Sequence, residues 1–312
     1  MFSGRMLRLL LSALMTALTL TTAYAASRNN QLLGLVPPGS EIVAGIEDPA
    51  TDHILLVTAS NTYDFSDFLA LIGVDAHRRI NKMVEVAASS PRGELTERLL
   101  LAAGQFDRDH VFHAAVANGA TTTNFSGVNV LVVAPFAREK QQMQDTRWMA
   151  ILDNRVLAFG TPVMVKTAIG RYQTGRGPDE VLAQRIAQLQ GDVGSWNVLA
   201  MPAAVAARHV ASGQIEPFWM RLMQHGNVLT FGIRDGARMR LYVNLETASE
   251  GEAAGVAESL RSPGVLRANL GQGRGMRVDS VSVEGNRVHA VLSATGKERY
   301  AQLLPAAQSL IP

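Results

Sequence analysis

The chain has 312 residues, 47% hydrophobic and 18% charged, with a formal net charge of +2 and no cysteine. Lacking cysteine, it has no disulfides, thiol chemistry, thiolate metal site or lipid-anchored cysteine. The low charge and high apolar content suit a packed globule and argue against a disordered chain.

Residues 1–25 read as a secretory signal peptide. Arg5 and Arg8 supply the positive start, Leu9 to Leu20 the short apolar core, and Ala23-Tyr24-Ala25 the small residues of a cleavage site. The expected address is therefore outside the cytoplasm, periplasmic or secreted. Removing this segment takes away Arg5 and Arg8 and no acid, so the net charge falls to zero. That balance offers no case for a nucleic-acid partner. No later run is long and apolar enough to span a membrane.

Residues 26–40 form a lead-in carrying Pro37 and Pro38. Glu41 to Ile46 and His53 to Ser60 read as short strands. Asp64 opens a helix whose apolar face is Phe65, Phe68, Leu69 and Ile72, ended by Gly73. Met83 to Ala88 and Leu99 to Ala103 are paired strands, and Asp107 caps a helix running to Ala117. Val128 to Ala134 is a strand. Trp148 to Leu152 and Arg155 to Phe159 flank an Asp153-Asn154 turn. Pro162 starts a helix to Tyr172, and Glu180 to Leu189 is another. Val228 to Arg234 and Arg238 to Leu245 form a hairpin across Asp235-Gly236, expected as a type I′ turn. Ser249 to Leu260 is a helix with Glu252 in a capping box. A hairpin across Glu284-Gly285-Asn286 and a helix from Lys297 to Leu304 close the chain.

The order ββαββα fits residues 41–117 and recurs in the last third. The expected fold is α+β, with duplicated ββαββα-like units, a mainly antiparallel sheet and helices packed on one face. The boundaries are 1–25, 26–40, an N-terminal half 41–195 and a C-terminal half 196–312.

Chemistry-bearing motifs are sparse. His110 and His113, with Asp107 and Asp109, share a helix at a spacing that could offer metal ligands. Asp107 also reads as a cap, and the strong zinc spacings are missing, so no metal site is assigned. Gly271-Gln272-Gly273-Arg274-Gly275 precedes a strand rather than opening a helix, so it is a connection and not a phosphate loop. Gly194-Ser195-Trp196 lacks the second glycine and the following helix of a nucleophile elbow. Catalytic and cofactor-binding residues are therefore not assigned. Phe218, Trp219, Met220 and Met223 make the bulkiest apolar stretch, a candidate ligand or partner surface.

The runs Val43-Ala44-Gly45-Ile46-Glu47-Asp48-Pro49, Leu55-Leu56-Val57-Thr58, Asp64-Phe65-Ser66-Asp67-Phe68 and Gly104-Gln105-Phe106-Asp107-Arg108-Asp109-His110 carry a resemblance. The chain resembles a group of uncharacterised exported proteins from soil bacteria of the acidobacterial type. The resemblance implies an exported α+β protein and transfers no site. The reading is an exported non-catalytic protein that binds another protein or an envelope component. The alternatives are an exported hydrolase or metal-dependent enzyme, and a structural or assembly module of the cell envelope.

Overall fold

A computed structural model describes residues 31–47, 60–75, 79–90, 92–138, 141–143, 145–189, 193–201, 203–211, 222–236, 238–262 and 276–294. The expected signal peptide, most of the expected His53 to Ser60 strand, the Gly271 to Gly275 connection and the expected Lys297 to Leu304 helix lie outside these residues.

The elements in chain order are β1 (Ile42–Ile46), α1 (Ser60–Leu71), β2 (Ile80–Ala88), β3 (Glu97–Gly104) and α2 (Arg108–Ala117). Then come β4 (Thr121–Phe125), β5 (Val128–Val133), β6 (Phe136–Arg138), β7 (Gln141–Met143), β8 (Arg147–Asp153), β9 (Val156–Gly160), α3 (Pro162–Gln173) and α4 (Glu180–Ala187). The remainder are β10 (Ser195–Leu199), α5 (Ala203–Ala211), β11 (Gly226–Arg234), β12 (Met239–Thr247), α6 (Glu250–Arg261), β13 (Met276–Glu284) and β14 (Arg287–Ala294). The fold is α+β, built on a large antiparallel sheet.

Twelve strands join in the order β13-β14-β12-β11-β10-β1-β2-β3-β9-β8-β5-β4, and β6 pairs separately with β7. The two halves therefore share one continuous sheet. They meet at the antiparallel pair β1 and β10, with Val43 opposite Val198 and Gly45 opposite Trp196. Outward from β1 the strands run β2, β3, β9, β8; outward from β10 they run β11, β12, β14, β13. The hairpin β4–β5 extends only the first of these series.

Local rules explain most elements. Asp107, Asp179 and Ser249 cap α2, α4 and α6 by accepting from the backbone N–H three residues on. Glu252 reaches back past the cap and accepts from the Ala248 N–H, one residue before the Ser249 N–H that the expected capping box would use. Pro162 opens α3, where its missing donor costs nothing. One capping and one turn expectation need correction. Helix α1 begins at Ser60, so Asp64 lies one turn inside it rather than at its start. The β8–β9 turn centres on Asn154-Arg155, one residue later than expected, and Asp153 Oδ1 accepts the Arg155 N–H.

The hairpin across Asp235-Gly236 also differs. Strands β11 and β12 pair as expected, but the last pair is Arg234 with Arg240. The connection is therefore too long for a two-residue turn. Neither Asp235 nor Gly236 has a positive φ, and a Cβ on Gly236 would meet only the Arg238 carbonyl oxygen at 3.7 Å. Gly236 is not a strained position. The strained turn is Ser126-Gly127, between β4 and β5, with φ of 50° and 79°.

Helices cover both faces of the sheet, which corrects the one-face expectation. Strand β3 shows why. Leu100 and Ala102 pack with Phe65, Phe68 and Leu69 of α1 and Val111 of α2. Their neighbours Leu99 and Leu101 point the other way, against Met164, Val165, Ala168 and Ile169 of α3. A strand buried on both sides needs no polar alternation, and Leu99 to Ala102 have none. Phe159 stands at the centre of the first core, its ring 5.3 Å from Phe65 and 6.0 Å from Phe68. A further core lies over the second half, where α6 places Ala253, Val256, Ala257 and Leu260 on Leu245, Val288 and Leu292.

The lead-in is part of this structure. Leu32, Leu33, Leu35 and Val36 are buried among the α3-side core residues.

Candidate functional site

A groove of about 330 Å³ lies over the β1–β10 seam, on the α3 side of the sheet. Val43 and Val198, directly paired across the seam, form its floor. One wall is the lead-in turn from Val36 to Ser40, fixed where Ser40 Oγ donates to the Pro37 carbonyl at 2.6 Å. Gly39 takes φ +76° there, a conformation glycine adopts without the steric cost a Cβ brings.

Helix α4 forms the other wall. The Asp179 cap sets where α4 starts, so Leu182 turns down into the core while Val181 stays 52% exposed at the rim. Arg185, one turn further, also lines the groove. Its guanidinium makes a two-pronged pair with Glu246 of β12, Nε to Oε1 and Nη2 to Oε2, both at 3.1 Å. Asn244 Nδ2 of β12 donates to the Gln188 carbonyl at 3.3 Å, just beyond the end of α4. The helix linking the two halves is thus held to the second half by polar contacts at its C-terminal end. The arrangement can take an apolar group on a Val floor, with a hydroxyl and charged groups at the rim.

The described groups with displaced pKa values lie outside the groove and have structural partners. Burial pulls the Arg98 guanidinium below its ordinary value, and the like charge of Arg147 acts in the same direction. The carboxylates of Glu85 and Glu97 oppose that shift. Burial raises the Tyr172 hydroxyl, and its 3.0 Å bond to Asp153 Oδ2 adds to the effect. Asp279 is lowered. Partial burial opposes this, but bonds from Ser293 and Arg277, at 2.9 and 2.7 Å, outweigh it.

The sequence candidates do not assemble into a site. Asp107 Oδ1 is committed to the His110 N–H at 3.1 Å. His110, His113 and Asp109 are exposed on α2. His110 lines a separate depression of about 250 Å³ beside Asp75 and Arg79, but His113 and Asp109 do not. Among the described residues, no group of three His, Cys, Asp or Glu side chains is placed to hold a metal. Ser195 is buried at the entry to β10. Phe218, Trp219 and Met220 lie outside the described residues. Met223 is 1% exposed and packs in the second-half core, so it is a packing residue and not a groove residue.

The groove residues escaped the sequence reading because they come from three distant segments. Two local signals were present: the Pro37-Pro38-Gly39 turn, and Val181 on a helix whose buried face holds Leu182.

No protein-family model matches the chain, and no curated protein matches it. Among solved structures, crystal form I of TP0453 is similar, with a TM-score of 0.50 and 12% sequence identity. The match covers 89% of this chain and 97% of that one. At that identity the likeness is one of fold. No described helix is long and apolar enough to cross a membrane.

Proposed function

We propose that this is an exported, non-catalytic binding protein that receives an apolar segment of a partner in the groove over the β1–β10 seam. The observation carrying this reading is the exposed Val181 beside a floor of Val43 and Val198. An apolar side chain laid there would remove from water its own apolar surface and that of Val181, worth roughly 25 cal/mol per Å², on a floor already buried. Arg185 is engaged by Glu246 and is available as a rim contact without being a naked charge. The Arg5, Arg8 and Ala23-Tyr24-Ala25 pattern supports export, and export makes a protein or an envelope component the accessible partner.

The chain also has the marks of an internal duplication, which extends the ββαββα reading to a longer unit. Each half runs strand, helix, two strands, helix, and later a hairpin, and each places its strands in the same outward order from the seam. The groove would then sit where the two copies of the unit join.

Titration with a fluorescent apolar probe such as anilinonaphthalene sulfonate tests the binding reading. Val181→Asp should weaken probe binding several-fold while thermal stability stays within about 0.5 kcal/mol, as for an exposed position. Equal probe binding by both proteins would remove the groove as the binding surface.

A further inference from the structure

We propose that the β4 edge of the sheet is a self-association surface, where two copies pair β4 to β4, antiparallel about Thr123. Among the described residues, strand β4 is the last in the sheet and β5 is its one ladder partner. The Ser126-Gly127 turn has positive φ at both residues and joins the facing pair Phe125 and Val128. A two-residue turn of this type closes on a hydrogen-bonded pair. Phe125, Thr123 and Thr121 therefore bond inward to β5, and the N–H and C=O groups of Thr122 and Asn124 point outward.

The outward groups are self-complementary. Placing Thr123 opposite the Thr123 of a second copy sets each Thr122 against an Asn124. Those two pairs supply four backbone hydrogen bonds. The pairing uses the same surface on both copies, so it closes as a dimer and does not propagate.

The side chains allow the approach. The sequence of β4 is Thr-Thr-Thr-Asn-Phe, with no charge, no proline and no bulge in its pairing with β5. Thr121 to Asn124 are exposed. Threonine and phenylalanine are residues favoured on a pleated surface. An uncharged, unkinked edge of this kind lacks the devices that keep edges apart. The Asn124 side chain is occupied, donating to Asn129 Oδ1 and accepting from the Gly127 N–H, both at 3.1 Å. It therefore stiffens the hairpin and leaves the outward main chain accessible. Five residues per copy bury far less than the about 1,200 Å² of a stable complex, so the dimer is weak and concentration-dependent.

Sedimentation of the purified protein, from micromolar to millimolar concentration, tests this. The mean mass should rise from that of one chain towards twice that value. Thr122→Pro removes only an outward N–H and leaves the inward ladder intact. Thr123→Lys brings two ammonium groups face to face at the symmetry axis. Both variants should remain at the single-chain mass, and added salt should restore part of the association of Thr123→Lys. Val283→Lys on β13 should associate like the parent protein. A constant single-chain mass for the parent overturns the proposal. So does association abolished by Val283→Lys but retained in the β4 variants. Circular dichroism melting confirms that each variant is folded, and Thr123→Lys serves if Thr122→Pro is not.

Discussion

The two ends of the sheet solve the same problem in opposite ways. At the β13 end, Arg277, Asp279 and Glu284 place charges along the strand, and Asp279 is the extra residue in a bulge between Val278 and Ser280. The bulged carboxylate is tied to Ser293 of β14 and to Arg277. Charge and a kink both discourage another strand from adding there. At the β4 end there is neither. The five residues are uncharged, their register with β5 is unbroken, and a tight turn joins them to β5. Among the described residues, this chain protects one edge explicitly and leaves the other able to pair.

The contrast rests on rigid support beneath each edge, and the largest expected effect comes from removing it. Phe159→Ala should destabilise the protein by about 3–5 kcal/mol, because a fully buried ring touching Phe65 and Phe68 leaves a cavity. Chemical denaturation measures this. A loss below about 1 kcal/mol would show that the β4-end core repacks freely.

The seam between the ends comes next. A Cβ on Gly45 would lie 2.1 Å from the Trp196 indole, across the β1–β10 pair. Gly45→Ala should cost about 1–3 kcal/mol through overpacking. Thermal melting at the parent's temperature would contradict so tight a seam.

The β13 end carries a pH signature that the β4 end lacks. Asp279 titrates below its ordinary value, so its folded form favours the carboxylate. That stabilisation is present above the ordinary carboxylate pKa and is lost as pH falls through the lowered value. Asp279→Asn should therefore flatten the acid limb of stability against pH, by less than about 1 kcal/mol for a site partly open to water. Identical acid limbs in the two proteins would show that the Ser293 and Arg277 bonds do not hold the bulge.

The smallest effect sharpens the β4 end. Ser126 sits at φ 50°, where asparagine is more at ease. Ser126→Asn should raise stability by a few tenths of a kcal/mol. A fall in melting temperature would mean that the turn is not held as described.

Much of this fold is legible in the sequence where a local rule governs it. The caps at Asp107, Asp179 and Ser249 and the Pro162 helix start follow from their own neighbours. The Gly285 turn, at φ +57°, does too. Strand β4 was missed because Thr-Thr-Thr-Asn-Phe has no apolar alternation to read; four of its five residues are exposed. The one-face expectation failed at β3, where Leu99 to Ala102 all point into a core. That unbroken apolar run was itself the sign of helices on both faces. The groove was not legible because Val36, Val43, Val181 and Val198 are brought together only by the strand order.

Amide hydrogen exchange at single-residue resolution tests the open edge most directly, at low and at high protein concentration. The Thr122 and Asn124 amides should exchange quickly in dilute protein and slow as concentration rises, while the Thr123 amide is protected throughout by β5. Thr122 and Asn124 amides that are protected even in dilute protein, or that exchange at one rate across the concentration range, would contradict an open, pairing edge.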